Sequence, residues 1–251
     1  MKSFAKINVF LKITGANGAF HDIASRFVIC DEIYDEISFE RGERGGFCIE
    51  CNKEIAGKNI IQSAYERLCE SGYKNELDEF FAKFYVKLYK QIPAGGGLGG
   101  GSSNCAVFLK MINDELNLGI SKPNLMQIAN SLGSDICFFL SGEKSANVSG
   151  KGEIIEAFDD EIPPLSLCLK GLFCDTGAVY REFRKNHFNK INLGLASKLL
   201  KLKSSEILNN FDADSLNDLL APACALYPDL RLEKGEFLSG SGSSCFKVDL
   251  R

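Results

Sequence analysis

Six of the seven residues from Gly95 to Gly101 are glycine, and two hydroxyls and an amide, Ser102-Ser103-Asn104, follow at once. Neither a helix interior nor a strand interior tolerates such a run, so the segment is expected to form a loop. A strand-like alternation leads into it, with Ala82, Phe84, Val86 and Leu88 set against Lys83, Tyr85, Lys87 and Tyr89. Ala106, Leu109, Ile112 and Leu116 leave it at helical spacing. Without Cβ atoms the backbone can take positive φ and come close to a ligand. Successive N–H groups and the positive end of the next helix favour an anion, and a phosphate fits best. The flanking strand and helix argue against a flexible linker. A Walker A loop is excluded, because no Lys lies between Gly95 and Asn104. Gly95, Gly97 and Gly100 meet the dinucleotide pattern, but the loop lies deep in the chain. The acids downstream, Asp114 and Glu115, fall within or at the end of the loop's own helix, so that reading is weak.

The chain has 251 residues and a net charge of −4, with 45% apolar and 25% charged residues. That length accommodates one large domain or two ordinary ones. The acidic balance and the lack of a basic cluster argue against nucleic acid. No apolar run reaches membrane-spanning length, and the N-terminus lacks the apolar region of a signal peptide, so a cytoplasmic protein is expected. Ten cysteines accompany two histidines. Cys48 and Cys51 form C-x-x-C with no matching second pair, on a segment that reads as a strand. Cys30, Cys105, Cys137, Cys168 and Cys245 lie inside apolar segments, as small core residues do in a reducing compartment.

From Ala5 to Ile13 apolar odd positions alternate with Lys6, Asn8 and Lys12, which predicts a half-buried strand. Lys6 and Asn8 then share a face about 7 Å apart. Gly15–Gly18 reads as a turn, and strands are expected at 26–30, 36–40 and 47–51. Asn59 is placed to cap a helix ending near Gly72, and Ser121 with Pro123 to open one through Leu132. Asp135 sits in a Gly-led turn ahead of an apolar run. The acidic, proline-bearing stretch 159–164 reads as a domain seam. Beyond it a strand is expected at 165–169 and helices at 176–183, 195–202 and 215–226. A small-residue turn then leads into a last strand.

Phosphoryl transfer needs charge stabilisation at the γ-phosphate, a metal bridging the phosphates and a group that positions or deprotonates the acceptor hydroxyl. Lys6 suits the first task, Ser102 or Ser103 can reach Mg²⁺, and Asp135 can accept a proton. Each also has a structural use: Lys6 as an exposed strand lysine, Asp135 as a turn cap, and the serines as helix N-caps.

Pro93-x-x-x-Gly97-Leu98-Gly99 running into Ser102-Ser103 resembles the central signature of the GHMP kinases. Further likenesses are Ala5-Lys6-Ile7-Asn8-Val9-Phe10-Leu11 with Thr14-Gly15, Phe20-His21, the loop Gly95–Asn104, and Leu132-Gly133-Ser134-Asp135 before Phe138-Phe139. With Gly240-Ser241-Gly242-Ser243 they point to the branch whose acceptor carries a diphosphocytidyl group. The resemblance implies an α+β, two-domain GHMP kinase fold. A ribosomal-protein-S5-like domain would span residues 1–160 and a ferredoxin-like domain residues 161–251. It implies transfer of the γ-phosphate of ATP, with Mg²⁺, to the 2-hydroxyl of a diphosphocytidyl methylerythritol in the methylerythritol phosphate route to isoprenoids. Lys6 and Asp135 would be the catalytic pair. Ala94, Gly95, Gly96, Gly97, Leu98, Gly99, Gly100, Gly101, Ser102, Ser103 and Asn104 would bind ATP. Asn8 would contact the acceptor, His21 would hydrogen-bond cytosine, and Phe20 and Tyr180 would stack on its two faces. The metal would arrive with ATP, with Ser102 or Ser103 the only protein groups in line to meet it. Phe20 stands where the family has Tyr, Ala19 replaces a glycine, and Cys105 and Cys137 take positions usually held by Ala and Pro. Two alternatives remain: a GHMP kinase for mevalonate, homoserine or a sugar, and a nucleotide-binding regulator without chemistry.

Overall fold

The computed structural model describes residues 1–55 and 57–249, in which helices and sheets mix in an α+β architecture. Two long strands open the chain, β1 (Lys2–Asn17) and β2 (Phe20–Arg41), and they pair with each other. The expected turn shrinks to Gly18-Ala19, with Gly18 at φ +59°, and the two strands expected at 26–30 and 36–40 are one. The chain forms two compact units whose segments interleave along the sequence.

The first unit gathers Met1–Ala5, Ile33–Ile92 and Gly100–Gly142. It contains β3 (Ile49–Cys51), α1 (Ile60–Leu68), α2 (Lys74–Phe81), β4 (Phe84–Tyr89), α3 (Gly100–Glu115), α4 (Lys122–Leu132) and α5 (Ile136–Ser141). β4 runs antiparallel to β2, with Ile37 opposite Leu88, and parallel to β3. Asn59 caps α1 by accepting from the Ile61 N–H at 2.9 Å, as its position predicts. Sequence reading missed α2, because Gly72 at φ +101° breaks the helical run before it. Leu77, Phe80 and Phe81 then resume at helical spacing and turn inward. Phe39, Phe47, Phe80, Phe81 and Phe108 meet largely edge to face, the preferred arrangement for aromatic quadrupoles.

The second unit gathers Lys6–Glu32, Pro93–Gly99 and the chain from Glu143 onward. β5 (Ser145–Gly150) pairs antiparallel with β2, Phe27 opposite Ala146, and β6 (Ile154–Ala157) pairs with β5. After β7 (Leu165–Cys168) come α6 (Thr176–Asn186), α7 (Leu193–Leu199), α8 (Ser204–Asn210), α9 (Ala213–Leu216) and α10 (Leu220–Leu226). β8 (Glu236–Leu238) and β9 (Cys245–Val248) complete an antiparallel sheet ordered β7-β9-β8. The single helix expected over 215–226 is split at Asn217. Its amide donates to the Leu238 and Gly240 carbonyls at 3.0 and 2.8 Å, and its oxygen caps Leu219 N–H.

The half-buried reading of β1 is corrected: every residue from Ala5 to Ile13 is buried, on both faces. Its polar positions are tolerated there because each is satisfied. Lys12, for example, donates to the Ser215 carbonyl at 2.9 Å and pairs with Asp218. No helix among the described residues is long and apolar enough to cross a membrane.

The 159–164 stretch has a structural task in this unit. Arg26 on β2 is fully buried, its guanidinium 3.5 Å over the Phe158 ring and its Nη1 3.3 Å from Asp160 Oδ2. Arg26 Nε donates to Asn147 at 2.8 Å, and Ser145, Ser204 N–H and Ser204 Oγ donate to Asp160. Burial pushes the Asp160 carboxyl up, but the bonds from Ser204 and Ser145 and the charge of Arg26 outweigh it and hold it below the ordinary carboxylate value. Replacing Asp160 with Ala leaves a buried guanidinium uncompensated and is expected to cost about 3–5 kcal/mol in denaturant unfolding. Because the folded value is depressed, the wild-type contribution is present above the ordinary carboxylate range and is lost as pH falls through the folded value.

Candidate active site

The glycine loop is built differently at its two ends. In the second unit, Cys174 N–H and Ser243 N–H both donate to the Gly95 carbonyl at 3.1 Å, and Ser244 N–H donates to the Gly96 carbonyl at 3.1 Å. Gly95, Gly97 and Gly99 take φ of +65°, +71° and +69°. A Cβ on Gly97 would lie 2.1 Å from the Ser239 carbonyl oxygen, and one on Gly95 would lie 2.5 Å from the Phe173 ring. These glycines are therefore required by close packing on the Ser239–Ser244 turn and Phe173, a use the sequence did not reveal. Gly101 differs: it is exposed, and a Cβ there would meet nothing nearer than Ile60 Cγ2 at 3.8 Å. At that point the backbone is open to close approach.

Lys6 is buried beside that turn, which rules out the exposed-lysine alternative. Its ammonium donates to Asn8 Oδ1 at 2.5 Å and to the Gly97 carbonyl at 3.0 Å, 4.6 Å from the centre of the Phe27 ring. Asn8 Nδ2 donates to Ser25 Oγ at 3.0 Å and Asn8 N–H to Ser239 Oγ at 3.3 Å, so Asn8 is engaged at both ends and orients Lys6. Period-two spacing correctly placed the pair together.

In the first unit the loop becomes α3, which starts at Gly100 with its first-turn amides. Ser103 and Asn104 are buried: Ser3 Oγ donates to Ser103 Oγ at 2.8 Å, and Asn104 Nδ2 donates to Ser3 Oγ at 2.9 Å. Ser102 is partly exposed and is the hydroxyl of the two that stands open to a ligand. Asp35, on β2 and fully buried, is a residue that sequence reading missed. It accepts from Gln91 N–H at 2.7 Å, Ile92 N–H at 2.9 Å and Asn104 Nδ2 at 2.8 Å, and it pairs with Lys90. One carboxylate thus fixes the residues just before the loop and the helix just after it. Nothing in the pattern around Asp35 distinguishes it from the other acids of β2.

Asp135 occupies the N-cap position of α5 at φ −65°, ψ −17°, but its side chain makes no capping bond. It is partly exposed.

Phe20 and His21 follow the β1–β2 turn in the second unit. Phe20 is 60% exposed, with Lys151 Nζ 5.0 Å from its ring centre. His21 is buried, and the Tyr180 ring packs on it at 5.2 Å and 34°. Arg184, one turn beyond Tyr180 on α6, donates to the Gly18 carbonyl at 2.9 Å, the Phe20 carbonyl at 2.7 Å and His21 Nε2 at 3.3 Å. The i, i+4 spacing from Tyr180 is the signal that could have found Arg184. Burial, then the neighbouring guanidinium, lower the His21 pKa, with Asp22 opposing them, so the imidazole stays neutral.

The open glycine backbone at a helix start, with no carboxylate from Ala94 to Asn104, suits a polyphosphate. Among the described residues no group of three or more His, Cys, Asp or Glu could hold a metal.

The fold is that of a GHMP kinase, and the model for the GHMP kinases N terminal domain matches residues 59–143, which include the loop and the helix that follows it. A 4-diphosphocytidyl-2-C-methyl-D-erythritol kinase of Campylobacter jejuni subsp. doylei is 46% identical over 99% of this chain and 100% of its own length. The protein of that name in Sulfurimonas denitrificans is 40% identical, covering 98% and 96%. A crystal structure of 4-(cytidine 5'-diphospho)-2C-methyl-D-erythritol kinase shares the fold with a TM-score of 0.76 at 24% identity, over 99% of this chain and 89% of that one. The mevalonate kinase of L. major does so at 0.61 and 13% identity, over 100% and 86%. The chain belongs to the 4-diphosphocytidyl-2-C-methyl-D-erythritol kinase family.

Proposed function

We propose that this enzyme transfers the γ-phosphate of ATP to the 2-hydroxyl of 4-diphosphocytidyl-2-C-methyl-D-erythritol, in the methylerythritol phosphate route to isoprenoids. The observation that carries the reading is 46% identity along nearly the whole chain to a protein of that name. Asp135 takes up or orients the acceptor hydroxyl proton, and Lys6, held by Asn8, offsets charge on the transferred group. Amides of Gly101 and of the first turn of α3 hold phosphate oxygens. Ser102 is the hydroxyl that would reach a Mg²⁺ carried by ATP, and such an ion offsets phosphate charge. His21 hydrogen-bonds cytosine, and Phe20 and Tyr180 supply aromatic faces.

The test is ADP release with a panel of acceptors. Turnover with the diphosphocytidyl compound and none with mevalonate, homoserine or a sugar is expected. Turnover with one of the others reassigns the substrate, and ATP binding without transfer to any acceptor favours a regulator.

A neutral His21 gives a pH signature. With its pKa depressed below the usual 6.5, its proton uptake lies on the acid side of the ordinary histidine range. KM for the diphosphocytidyl acceptor should stay level as pH falls to about 6.5 and rise only below it. A rise centred at or above the ordinary value would show that His21 titrates freely.

A further inference from the structure

A cavity of about 400 Å³ lies in the first unit, apart from the glycine loop, walled by Lys110, Asn113, Ile120, Lys122, Leu125, Leu140 and Ser141. Two ammonium groups reach it from different helices and end on the last turn of α5. Lys110 Nζ donates to the Phe139 carbonyl at 3.1 Å, and Lys122 Nζ donates to the Ser141 carbonyl at 2.8 Å. An ammonium carries three donors, so each lysine has two beyond that bond. Neither makes an ion pair among the described residues; Asp114 acts on Lys110 only from a distance. Asn113 is committed to Ile120, accepting from its N–H at 2.9 Å and donating to its carbonyl at 3.2 Å, and so forms a fixed wall. Of the rest of the lining, Ile120, Leu125 and Leu140 are hydrocarbon, and the Ser141 hydroxyl donates to the Phe138 carbonyl. Burial, and then the charge of Lys122, lower the Lys110 pKa against the smaller opposing pull of Asp114.

We infer that Lys110 and Lys122 form a binding site for a short-chain hydrocarbon phosphate, its head on the two ammonium groups and its chain on Ile120, Leu125 and Leu140. A phosphate monoester carries between one and two negative charges near neutrality, which matches two lysines better than a carboxylate does. The position gives such a ligand leverage. α3 begins in the glycine loop and carries Lys110, and α5 begins at Asp135 and ends on the carbonyls that the lysines hold. A phosphate that draws both ammonium groups toward itself weakens their hold on Phe139 and Ser141, and with it the seating of α5. A ligand here therefore lowers turnover without competing with ATP. This second effect rests on the kinase reading above, whereas binding itself does not.

The test is calorimetric titration of 3-methylbutyl phosphate into enzyme saturated with Mg²⁺ and a non-hydrolysable ATP analogue, so that the glycine loop is already filled. One site is expected, weakened by about tenfold or more in Lys122→Glu and in Lys110→Gln. Inorganic phosphate, lacking the chain, should bind about tenfold more weakly than the ester. Lys122 is exposed at the start of α4 and gives up only its bond to the Ser141 carbonyl, so Lys122→Glu should lower Tm by less than Lys110→Gln and remains informative if the latter unfolds. Absence of binding, equal affinity in Lys122→Glu, or equal affinity for inorganic phosphate would each overturn the site. In turnover assays at saturating ATP and acceptor, the ester should lower kcat of the wild type and not of Lys122→Glu. A bound ester that leaves kcat unchanged overturns the link to α5. If the diphosphocytidyl compound is not phosphorylated at all, the kinase reading fails and the titration still decides the site.

Discussion

Asp135→Asn should lower kcat by about 10²–10⁴-fold, the usual loss when a positioned proton acceptor is removed. In barrier terms that is about 3–5 kcal/mol. The amide keeps the size of the carboxylate and an oxygen acceptor, and it loses basicity. The Asp135 side chain makes no N-cap bond in α5, so the start of that helix should hold. The KM for ATP should hold as well, since the amides proposed to bind it lie in the loop and in α3. A single-turnover measurement separates chemistry from release. A fall of less than about tenfold would indicate that Asp135 only orients the hydroxyl, as a loose transition state permits.

The second large effect is expected from a methyl group. Gly97→Ala combines a backbone at φ +71° with a Cβ 2.1 Å from the Ser239 carbonyl oxygen. The first costs about 1–2 kcal/mol in an L-residue. The second cannot be relieved by a rotamer, because the obstacle is main chain. The loop must lift from the Ser239–Ser244 turn, breaking the bonds to the Gly95 and Gly96 carbonyls and displacing the Gly97 carbonyl that holds Lys6. KM for ATP should rise and kcat fall together, by about tenfold or more each if one hydrogen bond's worth of stabilisation is lost on either side. A Tm shift should accompany them. Wild-type kinetics in this variant would contradict the close packing.

Those two residues also show what the sequence could and could not disclose. The glycine run announced a loop with positive φ at a helix start, and Lys6 with Asn8 followed from a period of two. The reason for Gly97 was hidden, because its obstacle, Ser239, lies 142 residues away. Burial of both faces of β1 was hidden for the same reason: Lys6, Asn8 and Lys12 look like a solvent face until Gly97, Ser25 and Asp218 are seen to satisfy them. Asp35 carries no local signature, since it acts on Gln91, Ile92 and Asn104, all far along the chain, and Arg184 shows only its spacing from Tyr180. Helix ends with caps, such as Asn59 and α1, were legible; α2 and α8, short and flanked by breaks, were not.

Interleaving also bears on how the molecule is made. During synthesis the opening strand leaves the ribosome long before the segments that complete it: Lys12 waits for Asp218, and Asn8 for Ser239. Contacts so distant in sequence slow folding. A nascent chain lacking its last few dozen residues therefore carries Lys12 without Asp218 and the Asn8 N–H without Ser239. Shortening the C-terminus even modestly should trap newborn protein in forms that need chaperones.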